Sequence, residues 1–263
     1  IAQEQEASGA HLIDLCTAYA GRDEKEDLTT LVRMASDTLR APLVIDSTTP
    51  DCIQAALERY PGRPVVNSIN LEDGGAYLRR VCTMLKTYGA AAIALTINEE
   101  GMAMTAEEKV ATARRIRDIA VGEFGLRPQD LLFDPLTFTV GSGDESLRDA
   151  AVQTLEGIRR IKAELPGVFT VLGVSNISFG LAPHARRILN SVFLHEAVEA
   201  GLDAAIVDAG NIVPLARVNE TDREICLDLL YDRARDSGPS PLMRFIDYFS
   251  EAEEETEIGR AHV

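Results

Sequence analysis

Tryptophan is absent from the 263 residues, and aromatic side chains together make up only 5%. So sparse a set offers no platform for stacking nucleobases. Cationic residues are also few: 26 Lys plus Arg stand against 42 Asp plus Glu, a formal net charge of −16. That field repels a phosphate backbone, so no nucleic-acid partner is expected. No apolar run approaches the roughly 20 residues of a membrane span, so no membrane partner is expected either. Cysteine is limited to Cys16, Cys52, Cys82 and Cys226. Over this length that is too sparse for a disulfide scaffold, and no C-x-x-C pair or His at ligand spacing suggests a metal site. Buried thiols in a reducing cytoplasm are the expectation, with no metal bound. The chain starts Ile1-Ala2-Gln3-Glu4, without Met or signal peptide, and reads as a piece of a longer polypeptide.

What is present is ordinary for a folded protein: 46% hydrophobic and 26% charged residues. Short apolar runs recur along the chain. They are His11-Leu12-Ile13-Asp14-Leu15, Leu43-Val44-Ile45-Asp46, Pro64-Val65-Val66-Asn67, Ala92-Ile93-Ala94-Leu95-Thr96, Leu131-Leu132-Phe133-Asp134, Val171-Leu172-Gly173-Val174-Ser175-Asn176 and Ala205-Ile206-Val207-Asp208. Each is too short for a helix and suits a strand buried on both faces. Between them lie helical stripes: Leu78, Val81, Cys82 and Leu85; Val110, Ala113, Ile116 and Ala120; Val152, Leu155, Ile158 and Ile161. Thr49 before Pro50, and Thr105 three residues before Glu108, are helix-start signals. Strand then helix, seven times over, predicts an α/β fold with a parallel sheet. Residues 1–249 read as one domain, and 250–263 as an acidic linker or tail.

Most runs end in a carboxylate, amide or hydroxyl: Asp14, Asp46, Asn67, Thr96, Asp134, Asn176 and Asp208. A parallel sheet puts all such ends on one side, where a (β/α)8 barrel keeps its active site. The plainer reading makes each a helix cap or turn residue. No Lys sits at a strand end, which disfavours Schiff-base chemistry. None of the four His lies at a strand's carboxyl end, and Gly141-Ser142-Gly143 lacks the third Gly of a dinucleotide fingerprint. Such a rim suits a polar heterocycle. A pterin's 2-amino-4-oxo edge offers two adjacent donors that one carboxylate can accept in parallel.

Four segments together resemble the pterin-binding methyltransferase family: Val44-Ile45-Asp46-Ser47, Val66-Asn67-Ser68-Ile69-Asn70, Phe133-Asp134-Pro135-Leu136 and Leu172-Gly173-Val174-Ser175-Asn176-Ile177-Ser178-Phe179. Their order is similar to the folate-binding domain of cobalamin-dependent methionine synthase. Arg186-Arg187-Ile188-Leu189-Asn190-Ser191-Val192-Phe193-Leu194 and Gly201 to Gly210 fit the same family. The resemblance spans about residues 1–249. It implies a (β/α)8 TIM barrel of pterin-binding type that holds 5-methyltetrahydrofolate. The methyl would pass to cob(I)alamin, carried by another domain of the same polypeptide or by another protein in a complex. It implies substrate-binding positions at Asp14, Asp46, Asn67, Asp134, Ser175, Asn176, Arg186 and Asp208. Asn176 is the catalytic candidate, placed near N5, and Arg186 a partner for the folate's anionic tail. An ordinary helix-surface Arg is the competing reading of Arg186.

Two departures qualify the resemblance. The family's first strand carries a Gly-Glu-Arg-x-Asn motif that has no counterpart here, so a barrel lacking its first strand is expected. The second strand usually reads Asp-x-Asn, but Cys16 stands where that Asn would be, which weakens a role for the position. Alternatives are a stand-alone methyltransferase serving a corrinoid iron–sulfur protein, a dihydropteroate synthase, and a non-catalytic folate-binding module. The loop Thr137 to Gly143 and the acidic run from Ser250 favour the methionine-synthase module. The negative charge raises a question of its own. An anionic folate needs local cations, and the sequence leaves open which of Arg79, Arg80, Arg186 and Arg187 gather near the rim.

Overall fold

The computed structural model describes residues 1–234 and 238–250. Each of the seven apolar runs forms a strand. They are β1 (Ile13–Cys16), β2 (Leu43–Asp46), β3 (Val65–Ile69), β4 (Ala91–Leu95), β7 (Leu131–Asp134), β8 (Phe169–Gly173) and β9 (Ala204–Ile206). A small antiparallel hairpin, β5 (Ile97–Asn98) and β6 (Gly101–Met102), follows β4. The helices are α1 (Ala2–Ala7), α2 (Glu24–Thr38), α3 (Pro50–Leu57), α4 (Ala76–Tyr88), α5 (Ala106–Arg117), α6 (Ala150–Glu164), α7 (Pro183–Glu199) and α8 (Glu220–Leu230). A last helix, α9, covers 241–250. The acidic run expected at 250–263 lies outside the described residues, apart from Ser250 at the end of α9.

The sheet order is β1-β2-β3-β4-β7-β8-β9, and every neighbouring pair is parallel. The order never reverses, so right-handed crossovers place all the connecting helices on one face. The other face can be buried only by curling onto itself. It does so around Val44, Ile93 and Val171, with Val65, Leu95, Leu132 and Ala204 packed against them. These residues come from alternate and intervening strands, as in the layered interior of a (β/α)8 barrel. Seven staves are present among the described residues, and β1 and β9 are the two edges. This seven-strand parallel sheet is compatible with the barrel lacking its first strand that the sequence leads one to expect.

The outward face packs on the helices. Ile13, Leu15, Leu43 and Ile45 meet Leu28, Val32 and Ala35 of α2 and Cys52 and Ala56 of α3. Val66, Ala92, Ala94, Leu131 and Phe133 join the stripes of α4 and α5 in the largest cluster. Phe245 and Phe249 of α9 pack with Leu189 and Val192 of α7, so α9 belongs to the same body. Local signals account for several boundaries. The capping box at α5 is formed: Glu108 N donates to Thr105 Oγ1 (3.3 Å) and Thr105 N to Glu108 Oε2 (2.9 Å). The start at Pro50 holds, but Thr49 spends its hydroxyl on Glu24 (3.2 Å) rather than on the helix. Gly89, at φ 70, ends α4 in the left-handed conformation that a side chain would resist.

Candidate functional site

Strand alternation sends Leu15, Ile45, Val66 and Phe133 outward, so Asp14, Cys16, Asp46, Asn67 and Asp134 face the barrel interior. Cys16, Asp46 and Asn67 stand level across β1, β2 and β3. Asn67 Nδ2 donates to Asp14 Oδ2 at 3.3 Å. Asp14 has its pKa pushed up to about 6, mainly by its confinement and then by the charge of Asp46, with the Asn67 bond opposing. Burial likewise raises Asp46, and a bond from the Cys16 thiol partly offsets it. Among the four cysteines, Cys16 is the exception to the expectation of buried thiols: it is exposed, while the other three are buried. The Tyr77 hydroxyl, reaching up from α4, donates to Ser68 O (3.0 Å) and Ser47 O (3.5 Å) and braces the loops after β2 and β3.

Across the interior, Asp134 ends β7 and is only 7% exposed. Its carboxylate accepts from Leu136 N at 2.7 Å and from the Gly173 amide of β8. Leu136 takes the left-handed conformation (φ 61) that folds the Asp-Pro-Leu turn back on the carboxylate. Burial dominates and raises the Asp134 pKa to about 6, against those two amides and the charge of Lys109. In the same turn Thr137 Oγ1 is buried without a hydrogen-bond partner. Asn176 lies in the turn that follows β8 (Val174–Ser178) and is exposed. It folds back over the strand end, so that its Nδ2 is 3.0 Å from where a Cβ on Gly173 would sit. Gly173 thus serves both residues: its N–H holds Asp134 and its missing side chain admits the Asn176 amide.

The third part lies between β8 and β9. A cavity of about 330 Å³ is lined by Ser175, Arg186, Arg187, Asn190, Asp208 and Asn211, among others. Arg186 is tied to the β8 turn through Ser178 Oγ (3.1 Å) and Ser175 O (3.4 Å). Asp208 accepts from Gly210 N (3.1 Å) and Asn211 Nδ2 (2.7 Å), so it lines the cavity while acting as the cap of its own turn. Of the four arginines in question, only Arg186 and Arg187 line this cavity. Arg79 pairs with Glu123 at 2.9 Å and Arg80 with Asp51 at 2.5 Å, both on the helical exterior.

Of the eight expected site residues, Asp46 and Asp134 end their strands, Asp14 and Asn67 face inward from β1 and β3, Ser175, Asn176 and Asp208 lie in the turns after β8 and β9, and Arg186 reaches the β8 turn from α7; they fall into three groups, Asp14, Asp46 and Asn67; Asp134 and Asn176; Ser175, Arg186 and Asp208. Thr96, counted among the strand-end groups, is not available to a ligand. It is fully buried, and its hydroxyl donates to Asp134 O at 3.2 Å. Its parity explains this: Ile93 and Leu95 face inward, so the next residue faces out. Lys109 is absent from the sequence-derived set. It sits on α5 three residues before Thr112 and four before Ala113, in line with the buried stripe, and a lysine on an apolar stripe is the signal that marks it. Among the described residues, no group of three or more His, Cys, Asp or Glu could hold a metal, and no helix is long and apolar enough to cross a membrane.

A family model described as pterin binding enzyme matches residues 1–208. Methionine synthase of Mycobacterium tuberculosis is 45% identical over 257 residues, covering 96% of this chain and 22% of that protein. Methionine synthase of Mycobacterium leprae is 46% identical over 252 residues, covering 95% and 21%. The chain thus spans about a fifth of the length of these relatives. A dihydropteroate synthase structure from Thermus thermophilus superposes with a TM-score of 0.60 at 22% identity, covering 78% of this chain and 79% of that one, a likeness of fold. With the family model matching most of its length, the chain belongs to the pterin-binding enzymes.

Proposed function

We propose that this protein binds 5-methyltetrahydrofolate at the carboxyl ends of its strands and releases the N5 methyl to cob(I)alamin. The acceptor is carried by another domain of the same polypeptide, and the chain is the folate module of a methionine synthase. Residues 1–249 form the pterin-binding unit and the acidic run from 250 is its linker. The identity to mycobacterial methionine synthases supports this reading over a free-standing methyltransferase. The observation that carries it is the pairing, through Gly173, of a buried carboxylate with an exposed amide.

Asp134, ionised at neutral pH, accepts the two adjacent donors of the pterin's amino-pyrimidinone edge. Asp46 and Asn67 take the remaining ring atoms, with Asp14 behind Asn67 fixing its amide. Arg186 and Arg187 supply the local positive charge that a folate tail needs on a protein of net charge −16. Cob(I)alamin brings its own nucleophile, so no residue here has to generate one. The N5–methyl bond breaks with its electron pair left on nitrogen. N5 must therefore gain a proton or a strong hydrogen bond as the methyl departs. Asn176 donates to N5 from its place over Gly173, and the proton follows from water. Its amide is worth most in the transition state, where charge builds on that nitrogen.

The test is incubation of the protein with 5-methyltetrahydrofolate and reduced free cobalamin, followed by the loss of cob(I)alamin absorbance. Catalysed transfer that depends on Asn176 is expected. Saturable folate binding with no transfer would make the chain a binding module instead, and no binding would end the reading.

A further inference from the structure

Lys109 is fully buried, and no step proposed above uses it. Its ammonium donates to Ala103 O at 2.8 Å and Pro135 O at 2.7 Å, with Leu136 O at 3.5 Å. Its Nζ stands 5.1 Å from the centroid of the Phe138 ring. The aliphatic stem crosses α6 at Gly157, where a Cβ would lie 2.9 Å from Lys109 Cδ. A cation taken out of water costs several kcal/mol unless carbonyls and an opposite charge replace its hydration. Here carbonyls supply the hydrogen bonds, and they belong to the hairpin end after β4 and to the turn that carries Asp134. The acidic groups acting on Lys109 are Asp134 of β7 and Glu108 of its own helix, and Glu108 is already spent on the capping box. α6 presents neutral Thr154 and Gly157 to the same place; Thr154 Oγ1 also donates to Leu136 O, at 3.0 Å. On Asp134 the one side-chain charge in play is that of Lys109.

We propose that Lys109 is a positioning residue for pterin recognition: its ammonium clamps the turn after β7 and keeps the Asp134 carboxyl ionised, so that it can accept the pterin edge. This rests on the pterin reading above. Burial works against both charges, holding Asp134 up near 6 and drawing Lys109 down to about 8. Each charge favours the other, and the interval between the two values is the range in which both are present. Lys109 touches no part of a bound pterin, so its effect passes through Asp134.

The experiment is 5-methyltetrahydrofolate affinity as a function of pH, in the unaltered protein and in Lys109→Met, Lys109→Arg and Thr154→Val. Affinity in the unaltered protein falls as pH drops through about 6, where Asp14 titrates as well as Asp134, so the series is run in an Asp14→Asn background as well and the reading is the shift that each variant causes. Lys109→Met moves that midpoint up by about one pH unit or more, the usual effect of removing an opposite charge. Lys109→Arg restores it toward the original value. Thr154→Val, which removes a neutral anchor from the same turn, weakens binding at every pH without moving the midpoint. A Lys109→Met midpoint that stays in place, with only a uniform loss, would overturn the proposal and leave Lys109 a structural residue. A second measurement needs no lysine variant. The chain has only four lysines, Lys25, Lys86, Lys109 and Lys162, so their Nζ resonances can be assigned in 15N-labelled protein. One solvent-protected Nζ signal should shift with the Asp134 titration and cease to do so in Asp134→Asn; absence of that coupling would equally refute the proposal. If the unaltered protein binds no folate at any pH, the pterin reading has failed and this proposal with it, even where the lysine signal still follows Asp134.

Discussion

Asp134 carries a cost that can be measured apart from any ligand. Its carboxyl titrates near 6 in the folded protein against 3.8 in an unfolded chain. The folded state therefore holds the proton more tightly, and the protein gains stability as pH falls from about 6 toward 3.8 and loses it as pH rises through 6. The difference of about two units corresponds to about 3 kcal/mol at pH 7.5. Domains of this kind are stable by only about 5–15 kcal/mol, so this is a large fraction. Replacing Asp134 with Asn removes the charge while its amide oxygen can still accept from Leu136 N and the Gly173 amide. Asp134→Asn should then be more stable than the unaltered protein by up to about 3 kcal/mol at pH 7.5, falling to about 0.5 kcal/mol at pH 4. The same change should abolish folate binding. Urea unfolding of both proteins at the two pH values isolates the effect, because the other titrating groups are common to both. A variant destabilised by the same amount at both pH values would mean that the Asp134 charge is not the source of the cost.

Asn176→Ala should lower methyl transfer on the order of a hundredfold while changing folate affinity little; equal losses in both, measured side by side, would remove Asn176 from the transition state. Gly173→Ala puts a Cβ 3.0 Å from the Asn176 Nδ2 and should cut transfer by on the order of tenfold, while folate affinity through Asp134 is retained. Thr105→Ala breaks the α5 capping box and should cost about 1 kcal/mol of stability in a denaturant titration, leaving folate affinity at pH 7.5 unchanged.

The seven strands were legible because each is a short apolar run bounded by turn residues, and the helices because their stripes keep a period near 3.6. The inward placement of the candidate residues was legible where parity held. Asp46 follows inward Val44 by two, Asn67 follows Val65 by two, and Asp134 follows Leu132 by two. Thr96 follows Leu95 by one and so turns outward, a distinction that a list of polar strand ends does not make. The β5–β6 hairpin was not legible, since two-residue strands carry no periodic signal. Lys109 escaped for a different reason. It reaches the Asp134 turn from the neighbouring helix, a contact separated by 26 residues from Pro135 and visible only once α5 is packed on the sheet. The dual use of Gly173, as amide donor to Asp134 and as space for Asn176, likewise depends on the turn after β8. The plainer reading was partly right for Asp208, which caps its own turn while lining the cavity.

The most direct test of the account is a crystal structure of the protein with 5-methyltetrahydrofolate bound. The pterin's amino-pyrimidinone edge is expected against Asp134, with Asp46 and Asn67 on the ring, N5 within hydrogen-bond reach of Asn176, and the tail toward Arg186. A folate bound elsewhere on the molecule, or bound with N5 turned away from Asn176, would contradict it.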